Sequence, residues 1–163
     1  MTRDTIPENF TLSMALVDAL PVIFFGLSMI AISRLFDSKL FLIGAILTFA
    51  SGAGKVLWKV IVALKQKNIW FWFIQMRIVM PIGFVLMIAS LFIDSAKINP
   101  AGIGHALISF PSVIFFAIGI LGMIMMGVFA KKLDSTDSKS NWIEQLTNGI
   151  AQAAIFVGLL LIK

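Results

Sequence analysis

Three charged residues, Asp18, Lys55 and Arg77, stand inside long apolar stretches of this chain. A carboxylate, an ammonium and a guanidinium are costly in hydrocarbon; they persist there when they pair, face a bundle interior or line a wet cavity. One acid against two bases leaves a formal positive excess, which suits an anionic group such as a carboxylate or a phosphate. In a proton-coupled version the Asp18 carboxyl is the titrating group and the two cations tune it. Gln145, Asn148 and Gln152 form a polar stripe further along the chain and supply hydrogen-bonding edges. The candidate ligand-binding set is therefore Asp18, Lys55, Arg77, Asn148 and Gln152. Lys59 lies nearer the end of its apolar stretch and is read with Lys65 and Lys67 as a rim against lipid headgroups.

Other chemistries find little support. The chain has no cysteine, which removes disulfides, thiolate metal sites and cysteine nucleophiles. Its one histidine, His105, cannot form a histidine-rich metal site alone. Gly52-Ala53-Gly54-Lys55 superficially resembles a phosphate-binding loop. The preceding spacing is wrong, however, and no Ser or Thr follows Lys55. No paired carboxylates at productive spacing and no nucleophile elbow are present. An enzyme is the least favoured class, and no cofactor or metal is expected. The net charge of +5 is better explained by loop lysines that orient a membrane protein than by nucleic acid.

The elements that must position these residues follow from composition. The 163 residues are 60% apolar and only 13% charged, with a mean hydropathy of +1.01. An ordinary soluble domain is about 25% charged, so this chain has too few charges to coat a globule in water. A spanning helix needs about 20 mostly apolar residues. Five such stretches occur, at approximately 9–35, 40–64, 69–93, 106–130 and 142–162. The expectation is an all-α integral membrane protein, a single domain over 1–163 built as a bundle of about five transmembrane helices. The first stretch is too long for a signal-peptide core and is read as a retained helix.

Two helix starts carry a capping-box spacing: Thr5 with Glu8, and Asn141 with Glu144. The segment from Asp134 to Ser138 reads as a flexible turn. Orientation follows from the loop cations. Arg3, Lys65, Lys67, Lys131, Lys132 and Lys139 fall on the side of the N-terminus, against Arg34, Lys39, Lys97 and Lys163 on the other. The positive-inside rule places the N-terminus in the cytoplasm, in a multi-pass protein of the plasma (inner) membrane.

Gly44, Thr48, Ser51, Lys55 and Lys59 share one face of the second helix, which should not face lipid. With the boundary near Leu12, Leu64 and Ile69, the charges Asp18, Lys55 and Arg77 lie about 9–13 Å inside it. If the boundary sits at the charges themselves, the same residues form only a rim in the headgroups. Pro21, Pro81 and Pro111 each interrupt a predicted helix, and Pro21 and Pro81 stand beside Asp18 and Arg77. Gly119, Gly122 and Gly127 on the fourth helix are small enough to admit a close neighbour. So are Thr147, Ala151, Ala154 and Gly158 on the fifth.

These features lead to two expectations. The first is a transporter, channel or receptor for a small anionic ligand held in a polar pocket in the cytoplasmic half. The alternative is an accessory or scaffold subunit. Its small-residue faces would join another membrane protein or a second copy of the chain, and its cations would contact anionic lipids.

Overall fold

Apolar stretches of this length leave the backbone one economical solution in a bilayer, because a helix satisfies every N–H and C=O within itself. The computed structural model describes residues 11–34, 37–133 and 137–162. Among them the regular elements are all helical. They are α1 (Leu12–Ser33), α2 (Lys39–Lys65), α3 (Trp70–Ile93), a 3₁₀ turn at Ser95–Lys97, α4 (Pro100–Ile108), α5 (Ser112–Lys132) and α6 (Ser138–Leu160). Five of them, α1, α2, α3, α5 and α6, are long and apolar enough to cross a membrane. The chain is an all-α, multi-pass membrane protein.

Side-chain caps set several of the boundaries. Thr11 Oγ1 accepts from the Met14 amide at 3.3 Å, and Ser38 Oγ from the Phe41 amide at 3.0 Å. The expected box at Thr5 and Glu8 lies outside the described residues. The box expected at Asn141 and Glu144 is corrected: α6 begins earlier, at Ser138. There the Asp137 carboxylate takes both the amide and the hydroxyl of Ser140 at 2.8 Å. The Ser140 amide bond is the larger cause that holds the Asp137 carboxyl below its ordinary range. Asn141 is already inside the helix, and its side-chain amide donates to the Asp137 carbonyl.

The span expected at 106–130 is also corrected. Helix α4 stops at Ile108, Ser109 is extended, and α5 starts at Ser112 after Pro111. Proline disfavours helical geometry in the residue before it and lacks an N–H, but it is tolerated where a new helix starts. Pro21 and Pro81, by contrast, sit within helices that run on through them.

The helices pack in the spatial order α3, α2, α1, α6, α5, with α4 against α5. The first helix is therefore central, flanked by α2 and by the last helix. Since five spans alternate in direction, α1 and α6 run parallel. The tightest crossing joins α2 to α3. A methyl group on Gly44 would lie 2.6 Å from the Gly83 carbonyl oxygen, and one on Gly83 would lie 2.7 Å from that of Gly44. Neither backbone can move aside as a flexible side chain would. The small faces of α5 and α6 likewise meet each other, with Gly122 against the Ala151 Cβ and Gly158 against Phe116.

A polar latch closes the far end of the α2–α3 pair. Ser38 Oγ, while capping α2, donates to Asp94 Oδ2 at 2.5 Å, and Lys97 sits 3.3 Å from the same carboxylate. The Ser38 hydrogen bond, and after it Lys97, hold the Asp94 carboxyl below its usual value. A depressed carboxylate contributes stability that is complete above its unfolded pKa of about 4 and is lost as the pH falls through the lower folded value.

Two outcomes follow from this packing. Gly83→Ala is expected to cost about 1–3 kcal/mol by overpacking. Gly127→Ala, which meets nothing within 4 Å, should be neutral or slightly stabilising. Detergent unfolding curves of the two variants check this. Ser38→Ala should lose about 1 kcal/mol of capping. It should also return the Asp94 titration toward the ordinary carboxylate range, as followed by carbon NMR of the side-chain carboxyl.

Candidate functional site

Helical geometry alone brings a set of polar residues to one level. Asp18 lies six residues beyond the start of α1, Glu144 six beyond the start of α6, and Lys59 six before the end of α2. With α2 antiparallel to the other two, all three sit about 9 Å along their helices from the same end of the bundle. There the Lys59 Nζ meets Asp18 Oδ2 at 2.7 Å. Only 3% of the Lys59 side chain and 10% of the Asp18 side chain remain exposed. This is an ion pair enclosed by protein across the α1–α2 seam.

Its surroundings are polar on one side and apolar on the other. The charges of Lys55, one helical turn along α2, and of Glu144 on α6 both act on Lys59. Asn141 and Gln145 are buried on α6. Met14 and Ala15 of α1 and Trp58 and Val62 of α2 are almost completely buried. Trp58 is fixed in turn. Its Nε1 donates to Asn68 Oδ1 at 2.9 Å, and its ring lies 5.0 Å from that of Phe73.

The five candidate ligand residues do not all converge. Asp18 and Lys55 belong to the cluster, Lys55 half-buried. Arg77 is exposed on α3, its guanidinium 5.2 Å from the centre of the Phe73 ring, with α2 standing between α3 and α1. Gln152 turns toward α5, where its amide meets the Met123 sulfur at 3.5 Å. Asn148 is half-buried on α6. Lys65 and Lys67 are exposed at the end of α2 and beyond it, whereas Lys59 is buried and is no rim residue.

The shared face of α2 does point inward. Gly44, Thr48, Ser51 and Lys59 are buried, the first two against Gly83 of α3 and Lys59 against α1. Ser51 contributes its carbonyl to Gln75 of α3 at 2.9 Å. Sequence reasoning missed the partner of Asp18 and the nearness of Glu144. The signal for the first was present, since Lys59 belongs to the same inward face. Glu144 was masked by the capping role that Asp137 actually fills.

Chemically, the cluster holds two ammonium and two carboxylate groups, so the surplus of positive charge counted from Asp18, Lys55 and Arg77 is absent here. Lys55 and Lys59 are four residues apart on one face, neighbours that repel unless acids lie between or beside them. Removing the charge of one acid leaves two cations facing the same space. Comparison of the chain with protein-family models, with curated proteins and with solved structures gives no match.

Breaking a buried pair by removing one partner strands the other charge, while removing both need not destabilise. Asp18→Asn and Lys59→Met should each cost about 3–5 kcal/mol, and the double variant should recover most of that loss. Unfolding titrations of the four proteins in one detergent measure the coupling. Additive losses would show that the two charges do not support each other.

Proposed function

We propose that this chain binds and carries a small anion together with a proton, across the plasma membrane and with its N-terminus on the cytoplasmic side. The observation that supports the reading is the Asp18–Lys59 pair, enclosed about a quarter of the way along its helices with Lys55 and Glu144 beside it. A pair kept only for stability could be replaced by apolar side chains at little or no cost. Protonation of Asp18 neutralises its carboxylate and frees Lys59, and Lys55 then completes a two-cation site. A carboxylate or phosphate entering that site restores the charge balance that Asp18 had supplied. Loss of the proton re-forms the internal pair and expels the anion. Proton and anion therefore enter and leave together, with no net charge stranded in the bundle at either stage.

The topology gives this exchange a route. The pair lies on the side carrying Lys65, Lys67, Lys131, Lys132 and Lys139, where exposed cations raise the local concentration of anions. The scaffold alternative relied on small-residue faces of which Gly119, Gly122 and Gly158 are already occupied within the chain, where α5 meets α6.

The test uses the full chain in phospholipid vesicles with a pH-sensitive dye inside, offered labelled inorganic phosphate or succinate. Saturable uptake driven by an inward proton gradient, with a matching acidification of the interior, is the expected result. Asp18→Asn should uncouple the anion from the proton, and Lys59→Met should abolish uptake. The folded double variant should be inactive as well, which separates carriage from mere stabilisation. Wild-type vesicles that take up neither anion above the rate of empty vesicles would refute the reading.

A further inference from the structure

On the opposite half of the bundle, the outward faces of α1 and α2 enclose a groove of about 260 Å³. Ile23, Leu27 and Ile30 line it from α1, and Leu42, Ile46 and Phe49 from α2. All six side chains are 39–57% exposed, and each set repeats at spacings of four and three residues, which puts it on a single helical face. Seven residues separate the ends of each set, so the groove is about 10 Å long. It lies wholly among apolar atoms, at the depth of lipid chains.

Its dimensions suit a single alkyl chain. A methylene occupies about the ~30 Å³ share of a water molecule, so the groove holds roughly eight or nine of them, extended over about 10 Å. One alkyl chain matches both dimensions.

The same faces continue to charged residues at the headgroup level. Arg34 follows Ile30 by four residues, Lys39 precedes Leu42 by three, and both are exposed. Asp37 is exposed between them, and its carbonyl accepts from Lys97 at 2.8 Å. Together with the Lys97–Asp94 pair this corner carries three cations against two acids. An occupant with an alkyl chain in the groove would therefore present its polar end to a net positive corner.

We propose that the α1–α2 groove is a site for one anionic diacyl phospholipid of the leaflet that meets the α1–α2 turn. One acyl chain lies along Ile23 to Ile30 and the phosphate sits between Arg34 and Lys39. The site is separate from the Asp18–Lys59 cluster, and its test does not depend on transport.

The experiment is native mass spectrometry of the full chain released from micelles containing equal amounts of phosphatidylglycerol and phosphatidylcholine with identical acyl chains. Each surface cation contributes about 1 kcal/mol toward an anionic headgroup and Asp37 offsets one, so phosphatidylglycerol should be retained roughly fivefold over phosphatidylcholine. Arg34→Gln with Lys39→Gln leaves Asp37 unopposed and should bring that ratio to one or below, with lipid still bound. Ile46→Trp, or Ile30→Trp should the first lose its helical circular dichroism, fills the groove and should reduce retention of both lipids several-fold. A wild-type ratio of one, a preference that survives the double glutamine variant, or unchanged retention in a tryptophan variant that keeps its helicity would each overturn the site. A dimer that the tryptophan dissociates would assign the groove to a second copy and overturn it equally.

Discussion

An ammonium and a carboxylate can be kept out of water only if each satisfies the other, and this requirement organises the centre of the molecule. Once Lys59 must reach Asp18, the beginning of α1 is set against the end of α2, and the register of that antiparallel pair follows. Glu144, Asn141 and Gln145 bring the last helix to the same level, because their polar groups also find a better environment beside charges than in lipid.

Two kinds of joint result. In the α2–α3 and α5–α6 pairs, glycines let backbones approach until nothing larger than hydrogen fits between them. The α2–α3 joint is stiff, since Gly44 and Gly83 meet each other's backbone, whereas the α5–α6 glycines meet the side chains of Ile155, Ala151 and Phe116. Across α1 the contacts are made by side chains: Phe49 over Gly26, Val22 beside Gly52, Phe24 6.1 Å from Phe156. The molecule is thus two hairpins that grip one central helix through side-chain contacts, with its buried charges in one of the two gripping seams.

Much of this was legible in the sequence. Five apolar stretches announced five spans, and α2 and α3 begin and end within a residue of where hydropathy put them. The inward face of α2 was readable from spacing, because small and polar residues at four- and three-residue intervals have only one sensible direction in a membrane. The level of Asp18 along its helix was readable too, although Lys59, which stands at the same level, was read as a rim residue. Azimuth and neighbourhood were not. Arg77 has a depth much like that of Lys55, but its helix is separated from α1 by α2, and nothing local in the chain encodes that order. The choice of Lys59 over Lys55 turns on where α1 crosses α2, a property of packing. The break at Pro111 was visible as a proline, but whether a helix runs through a proline depends on what can take up the freed carbonyls. At Pro21 and Pro81 the helices continue, and at Pro111 the chain leaves its helix altogether.

The central position of α1 also bears on how the protein is made. Helix α1 carries Asp18 into the insertion machinery some forty residues before Lys59 exists to neutralise it, and Asn141 and Gln145 follow about eighty residues after Lys59. A chain released after α5 would have its first helix covered on one flank and bare on the other. Assembly therefore closes backward along the chain: α6 completes the environment of α1. Until α6 arrives, the nascent chain presents an unfinished polar face inside the bilayer.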